Sequence, residues 1–527
     1  MRCPVSRSRA ALLVAVASLG AVASACSTST AVPGTHATTS APAGHTSTSP
    51  SSATTTQSTL PPVTKLSWHP CAEKFLCASL VVPVSYSEPS DGTLKVAVVE
   101  LPASQDPSKA RDVVMNPGGP GGSGIQFLEH TYSQFPVSLR QQFNLVSFDP
   151  RGVGSSDPIQ CESAASLRAW LGLSPAPTTT AQITTLIAQV KAFDAACATK
   201  MPKDVLANLS TAVVADDMDR LRAAVGEAKL DYLGFSYGTY LGALYAQAFP
   251  SHVGAFVLDG ALDPSLSATV NSEQQAAAFE VDLRDFFAWC PTNATCNSEL
   301  ASGAAATYTE VMNTLATGGT LSADLIPALG GRQTVDYGLA LEGVISSLYS
   351  TNDWPYLAQG LAAANAGDGS LLAALAYNLA GFQTNGTVSN LISANLAVNC
   401  LDRPSLPVST YPSLARQFAK TAPDFGPAEA WGQLPCNYWP VPPTGRPAPL
   451  HISQSLPVLV VGSTHDPATP YAWAVALAHQ IPGAVLLTRT GDGHTGYFFS
   501  ACVRNWVDGF FLTGTRPPKG TVCASGT

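Results

Sequence analysis

A serine set between glycines, Gly234-Phe-Ser-Tyr-Gly238, stands between a β-rich run at 230–233 and a helical run at 240–248. That context constrains the chain more than the five letters do. A serine on a sharp strand-to-helix turn is held clear of the sheet with its Oγ exposed. The tight backbone leaves no room for Cβ atoms beside it, and the helix N-terminus that follows favours developing negative charge. The segment predicts a nucleophile at Ser236. The bland alternative is a small-residue turn with no chemistry.

The rest of the chain predicts the sheet that such a turn needs. Residues 80–86 and 94–101 flank the turn-forming segment Glu88-Pro-Ser-Asp-Gly92 and read as an antiparallel hairpin. Short apolar runs at 112–115, 144–148, 230–233, 255–258, 457–461 and 484–488 read as strands, and 216–226 reads as an amphipathic helix. Strands alternating with helices imply a mostly parallel sheet covered on both faces. Between 265 and 445 the strand signal stops. Ala- and Leu-rich stretches such as 335–348 and 371–379 predict helices there. The expected fold class is therefore α/β: an α/β-hydrolase core with a mostly parallel sheet, interrupted by a largely helical lid insertion. The core would occupy 65–264 and 446–527, the second part with a C-terminal tail, and the lid 265–445.

In such a fold the loop after the strand at 112–115 supplies one wall of the oxyanion hole. Here it is Asn116-Pro-Gly-Gly-Pro-Gly-Gly-Ser-Gly124. Glycines let a backbone N–H approach a reacting carbonyl closely. Gly119 is the expected donor, with Gly118 next, and the N–H of Tyr237 is the other. A phosphate-binding loop would want a Gly-Lys-Ser/Thr ending, which is missing, and the two prolines remove donors. The acid and base should follow the serine in the order Asp, His. His494 lies after the last strand, and Asp466 lies after the preceding one, in His465-Asp-Pro-Ala-Thr-Pro470. Asp492 and Asp259 are rival acids. Thr469 reads as a helix N-cap with Pro470 at the first helical position. The segment 149–156 reads as a structural turn with a buried Arg151–carboxylate pair.

The N-terminus reads as an export signal over 1–25: Arg2, Arg7 and Arg9, an apolar run at 10–22, then Ala23-Ser-Ala-Cys26. Cys26 resembles a lipobox cysteine, although Ala23 stands where Leu is commonest; plain cleavage after an A-x-A site is the alternative. Residues 26–64, nearly all Ser, Thr, Ala and Pro after Cys26, cannot bury enough surface to fold and read as a disordered tether. Ten cysteines remain beyond Cys3 and Cys26. An even number in an exported chain suggests disulfides, and pairing each with its neighbour closes five short loops. No C-x-x-C pair occurs, so a zinc site is not expected. With 46% hydrophobic and 12% charged residues and a net charge of -9, the chain lacks the basic face that nucleic acid requires.

Four segments together, 116–123, Asp149-Pro-Arg-Gly-Val-Gly-Ser, Gly234-Phe-Ser-Tyr-Gly-Thr and Asp466-Pro-Ala-Thr-Pro, resemble the tripeptidyl aminopeptidases of actinobacteria. These belong to the proline-iminopeptidase-like branch of α/β-hydrolases, which includes mycobacterial envelope lipoproteins. The similarity runs from about residue 66 to the end. It implies an exported peptidase acting on peptide or protein substrates from a free N-terminus, with Ser236, Asp466 and His494 as triad, no cofactor, and membrane attachment through a lipidated Cys26. An aminopeptidase needs a carboxylate for the substrate's α-ammonium, and the lid should supply it. Glu273, Glu342 and Asp402 are the candidates, the last beside Cys400. An ester or lipid hydrolase with the same triad is the alternative, and a binding protein with a dead hydrolase core is a remoter one.

Overall fold

The computed structural model describes residues 60–525. The expected signal segment, Cys26 and most of the tether lie outside them. Ten strands form one sheet: β1 His69–Ala72, β2 Phe75–Pro83, β3 Thr93–Leu101, β4 Arg111–Asn116, β5 Phe143–Phe148, β6 Leu230–Phe235, β7 Val253–Asp259, β10 Val458–His465, β11 Val485–Asp492 and β12 Val522–Cys523. Their spatial order is β1-β2-β3-β5-β4-β6-β7-β10-β11-β12. β1, β2, β3 and β5 pair antiparallel, and every pairing from β5 to β12 is parallel. The hairpin and the parallel body are thus where the sequence puts them.

The inner strands are apolar along their whole length because both faces are covered. Val113, Val114 and Met115 of β4 and Tyr232 and Leu233 of β6 are fully buried. Register then decides where the loops emerge. Asn116 lies opposite Gly234, and Phe235 lies opposite Asp259. The glycine-rich loop, the serine turn and the loop after β7 therefore leave the sheet at one edge. That is the carboxyl end of the strands, where open α/β sheets bind ligands.

Between β7 and β10 the chain is helical, apart from a small ladder of β8 Leu321–Asp324 and β9 Arg332–Val335. Its helices Ala268–Trp289, Tyr337–Leu348, Trp354–Asn365 and Ser370–Leu379 bury Phe279, Phe286, Val344, Trp354 and Leu361 in a core of their own. Two features depart from expectation. Residue 335 ends a strand instead of opening a helix. Asp336 accepts the N–H of Leu339 and starts the helix at Tyr337. Secondly, Leu167 and Leu171 join this core from helix Ala164–Leu171, between β5 and β6. Conversely, helix Leu391–Asp402 packs Ala397 and Leu401 into the main core with Tyr237 and Tyr240.

Five disulfides join Cys71–Cys77, Cys161–Cys197, Cys290–Cys296, Cys400–Cys436 and Cys502–Cys523, each to its neighbour in sequence. Among the described residues no helix is long and apolar enough to cross a membrane.

The turn after β5 holds a buried ion pair, but its partner lies further along the chain than 149–156. Arg151 grips Asp217 with Nη2 at 2.6 Å and Nε at 2.7 Å and donates to the carbonyls of Pro83, Val84 and Asn208. Asp149 instead accepts from Ser123 Oγ and from the N–H groups of Ile125 and Ser155, tying the glycine-rich loop to this turn. Removing one member of a buried pair leaves the other charge uncompensated. Arg151→Ala is expected to lower stability by about 3–5 kcal/mol in urea unfolding; a loss near zero would contradict this.

Candidate active site

The serine turn is built by close packing. A Cβ on Gly234 would lie 2.5 Å from Gly238 O, and one on Gly238 would lie 2.7 Å from Asn116 O. Neither position admits a side chain. Between them Ser236 takes φ 54° and ψ -124°, a backbone state that costs on the order of 1–3 kcal/mol and persists only where its surroundings impose it. Its N–H donates to Asp259 O at 2.9 Å, and Thr239 Oγ1 donates to its carbonyl at 2.6 Å. These contacts pin the backbone and leave Oγ without a hydrogen bond to any described residue. Tyr237 opens the helix Tyr237–Ala248, so its N–H is among those a helix leaves unpaired.

The glycine-rich loop lies directly against this turn. A Cβ on Gly118 would sit 2.8 Å from Ser236 Cβ and 3.1 Å from Tyr237 N. The Gly118 N–H is occupied, donating to Asn116 Oδ1 at 2.9 Å. Gly119 N–H donates to no described residue, and Gly119 lines the same cavities as Ser236. Of the two glycines, Gly119 is therefore the one with a donor to spare. Helix Leu391–Asp402 braces the loop: Asn395 Nδ2 donates to Pro120 O at 3.1 Å.

Asp466 and His494 meet as their positions after β10 and within the loop beyond β11 suggest. His494 Nδ1 lies 2.9 Å and 3.0 Å from the two oxygens of Asp466. Asp466 also accepts the N–H groups of Ala468, Thr469 and Thr495, so four donors fix it. Burial alone disfavours the His494 cation, but Asp466 outweighs it, and the imidazole pKa rises above its ordinary value. His494 N–H donates to Tyr349 O at 2.8 Å, and the two rings meet edge to face, so the helical segment holds the base directly. Nε2 is buried without a hydrogen-bond partner among the described residues. With Nδ1 facing the carboxylate, Nε2 is left as the acceptor. His494 and Ser236 line one cavity. Nucleophile–base contacts are often long in apo structures and tighten when substrate binds.

The two other acids are engaged elsewhere. Asp492 Oδ1 lies 2.8 Å from His465 Nδ1, which is equally close to Asp285 Oδ2. Asp259, fully buried, accepts the N–H groups of Gly496 and Tyr497 and shapes the chain just after His494. Thr469 corrects the N-cap reading. Pro470 has ψ 137°, so the helix starts at Tyr471, and Thr469 Oγ1 lies 3.3 Å from His494 Nδ1.

Two cavities open beside Ser236. The larger, of about 540 Å³, is lined by apolar side chains, among them Trp170, Leu341, Ile345 and Trp431, and by two carboxylates, Glu342 and Glu429. Burial, and for Glu429 the neighbouring Glu342 charge, pushes both acids up to about 7. Of the three acids that sequence proposed, only Glu342 reaches the site. Glu273 accepts Gln417 Nε2 at the surface and lines neither cavity. Asp402 is corrected likewise: its carboxylate accepts the N–H and hydroxyl of Thr211, which consumes it as a structural prop. Glu429, in the short helix Gly426–Trp431, was not foreseen. Its only sequence signal is one acid in an otherwise apolar helical run.

Residues 422–523 match the family model described as TAP-like protein. The serine protease Hip1 of Mycobacterium tuberculosis is 35% identical over 480 residues, covering 87% of this chain and 91% of that protein. A protein named carboxylesterase B from the same organism is 33% identical, covering 87% and 90%. A tripeptidyl aminopeptidase of Streptomyces coelicolor is 30% identical, covering 87% and 86%.

Proposed function

Because the chain belongs to the tripeptidyl aminopeptidase-like family of serine α/β-hydrolases, we propose that it is an exported exopeptidase releasing short peptides, tripeptides by expectation, from free N-termini. The observation that carries this reading is the Glu342–Glu429 pair in the cavity that Ser236 and His494 line. Two carboxylates kept close in an apolar wall repel each other, and a cation between them relieves both the repulsion and the burial. A substrate α-ammonium is that cation.

In the proposed reaction Ser236 Oγ attacks the carbonyl of the residue before the scissile bond, and His494 Nε2 takes its proton. Asp466 holds the imidazole tautomer and stabilises the imidazolium. The N–H groups of Gly119 and Tyr237 receive the oxyanion. The imidazolium then protonates the leaving amine, and water hydrolyses the acyl-enzyme by the same steps. The helical stretch 265–445 acts as the lid that carries the amine-binding glutamates. The five disulfides and the N-terminal signal support export, with Cys26 as the lipid anchor. An ester hydrolase is the second reading, favoured by the apolar lining of the larger cavity.

Cleavage of a free tripeptidyl fluorogenic amide, its N-acetylated form and a short-chain ester separates the two. The aminopeptidase reading expects the acetylated amide to be cleaved poorly. Equal cleavage of both amides sinks it.

The pH profile gives an independent check. The glutamate pair binds an ammonium best when ionised, and both pKa values stand at about 7. The base must be neutral, and its pKa is also raised. For a free-amine substrate kcat/KM should climb steeply through pH ~7 and fall above ~8, where the α-amine loses its proton. For the ester it should climb less steeply and not fall. Identical profiles would contradict the assignment.

A further inference from the structure

The smaller cavity beside Ser236, of about 270 Å³, has a different lining. Asn271, Gln275, Asn395, Asn399 and Gln433 bring polar side chains to it, and Arg403 brings a cation. Arg403 is only 7% exposed, yet its guanidinium makes no hydrogen bond to any described residue; Nε and Nη2 are buried and unpaired. The neighbouring Asp402 attracts it electrostatically but gives it no hydrogen bond, because Thr211 occupies that carboxylate. What holds Arg403 is the Tyr240 ring, 4.8 Å from the guanidinium carbon, and the C-terminus of helix Leu391–Asp402, which favours a positive charge. The helix end is itself fixed by the Cys400–Cys436 disulfide and by Gly445, where a Cβ would lie 2.3 Å from Asp402 O.

A buried guanidinium with five donors and no acceptor is costly unless something completes it. Arg403 lines the polar cavity, and a guanidinium is the side chain best matched to a carboxylate. Glu342 lines only the larger cavity and Arg403 only the smaller, while Ser236 and Glu429 line both. We propose that Arg403 is a specificity residue that binds a carboxylate of the peptide substrate on the side of Ser236 away from Glu342. The cleft then reads both charges of a short zwitterionic peptide, amine at Glu342 with Glu429 between the two cavities, and carboxylate at the arginine. This rests on the peptidase reading above and narrows it toward short peptides with a free carboxylate near the cleaved bond. A C-terminal carboxylate and an acidic side chain offer the same chemistry.

The test measures binding in the Ser236→Ala protein, so it does not depend on turnover. An unblocked tetrapeptide is compared as free acid and as C-terminal amide, and a second amidated pair carries Asp or Asn as its last residue. The free acid, the Asp peptide or both should bind about 10- to 100-fold tighter than the uncharged partner. The pair that shows the preference identifies the source of the carboxylate. Arg403→Met should abolish the preference and leave the amides unchanged. Arg403→Lys should keep part of it, which separates charge from packing. Equal binding within both pairs, or a preference that survives Arg403→Met, overturns the proposal. Failure of the N-terminal reading shows separately, as indifference of the same protein to N-acetylation.

Discussion

Ser236→Ala is expected to lower kcat by about 10⁶-fold while leaving the folded protein as stable as the parent. In the proposed reaction the hydroxyl is the group that forms the acyl bond. Its removal costs no hydrogen bond among the described residues, and the backbone contacts to Asp259 and Thr239 survive. Alanine keeps the Cβ, so the positive φ is neither worsened nor relieved. Kinetics of esters and amides together with thermal unfolding check this. A residual rate within about 100-fold of the parent would mean that the chemistry is not acyl transfer through Ser236.

The second large effect concerns the acid. Asp466→Asn should reduce kcat by roughly 10⁴-fold, as the equivalent change does in other Ser-His-Asp hydrolases. An amide at this position lets the imidazole adopt the wrong tautomer and no longer stabilises its cation. The loss should far exceed that of Asp492→Asn, whose carboxylate serves His465, and for which a change of only a few-fold is expected. Equal losses for the two variants would reassign the acid. Because Asp466 also anchors three backbone N–H groups, unfolding of Asp466→Asn must be followed alongside.

Much of this site was legible in the sequence because it depends on local backbone geometry. The Gly234 and Gly238 positions that exclude any Cβ, the glycine-rich loop after β4 and the loops after β10 and β11 each announce themselves by strand-then-turn patterns. Side-chain direction is not written that way. Asp402 stands beside a cysteine in an apolar helix and looked available for a ligand, yet its carboxylate turns to Thr211, whose position depends on the packing of a distant helix. Glu429 escaped notice for the converse reason: only the folded chain sets it beside Glu342. The helices at Ala164–Leu171 and Thr180–Lys200 were likewise unannounced. The second alternates Thr, Gln and Ala with few large apolar residues, so its periodicity is faint.

Recognition of a free amine is what separates the proposed peptidase from an ester hydrolase with the same triad. The most direct measurement is the ratio of kcat/KM for a free tripeptidyl amide to that for its N-acetyl form, in the parent protein and in the Glu342→Gln/Glu429→Gln variant. Losing a buried, charge-assisted contact of this kind costs on the order of 2–5 kcal/mol. The parent ratio should therefore be about 30 to 5,000 and should fall to near one in the variant, with ester hydrolysis retained. A parent ratio near one, or a large ratio unchanged by removing both carboxylates, contradicts the account.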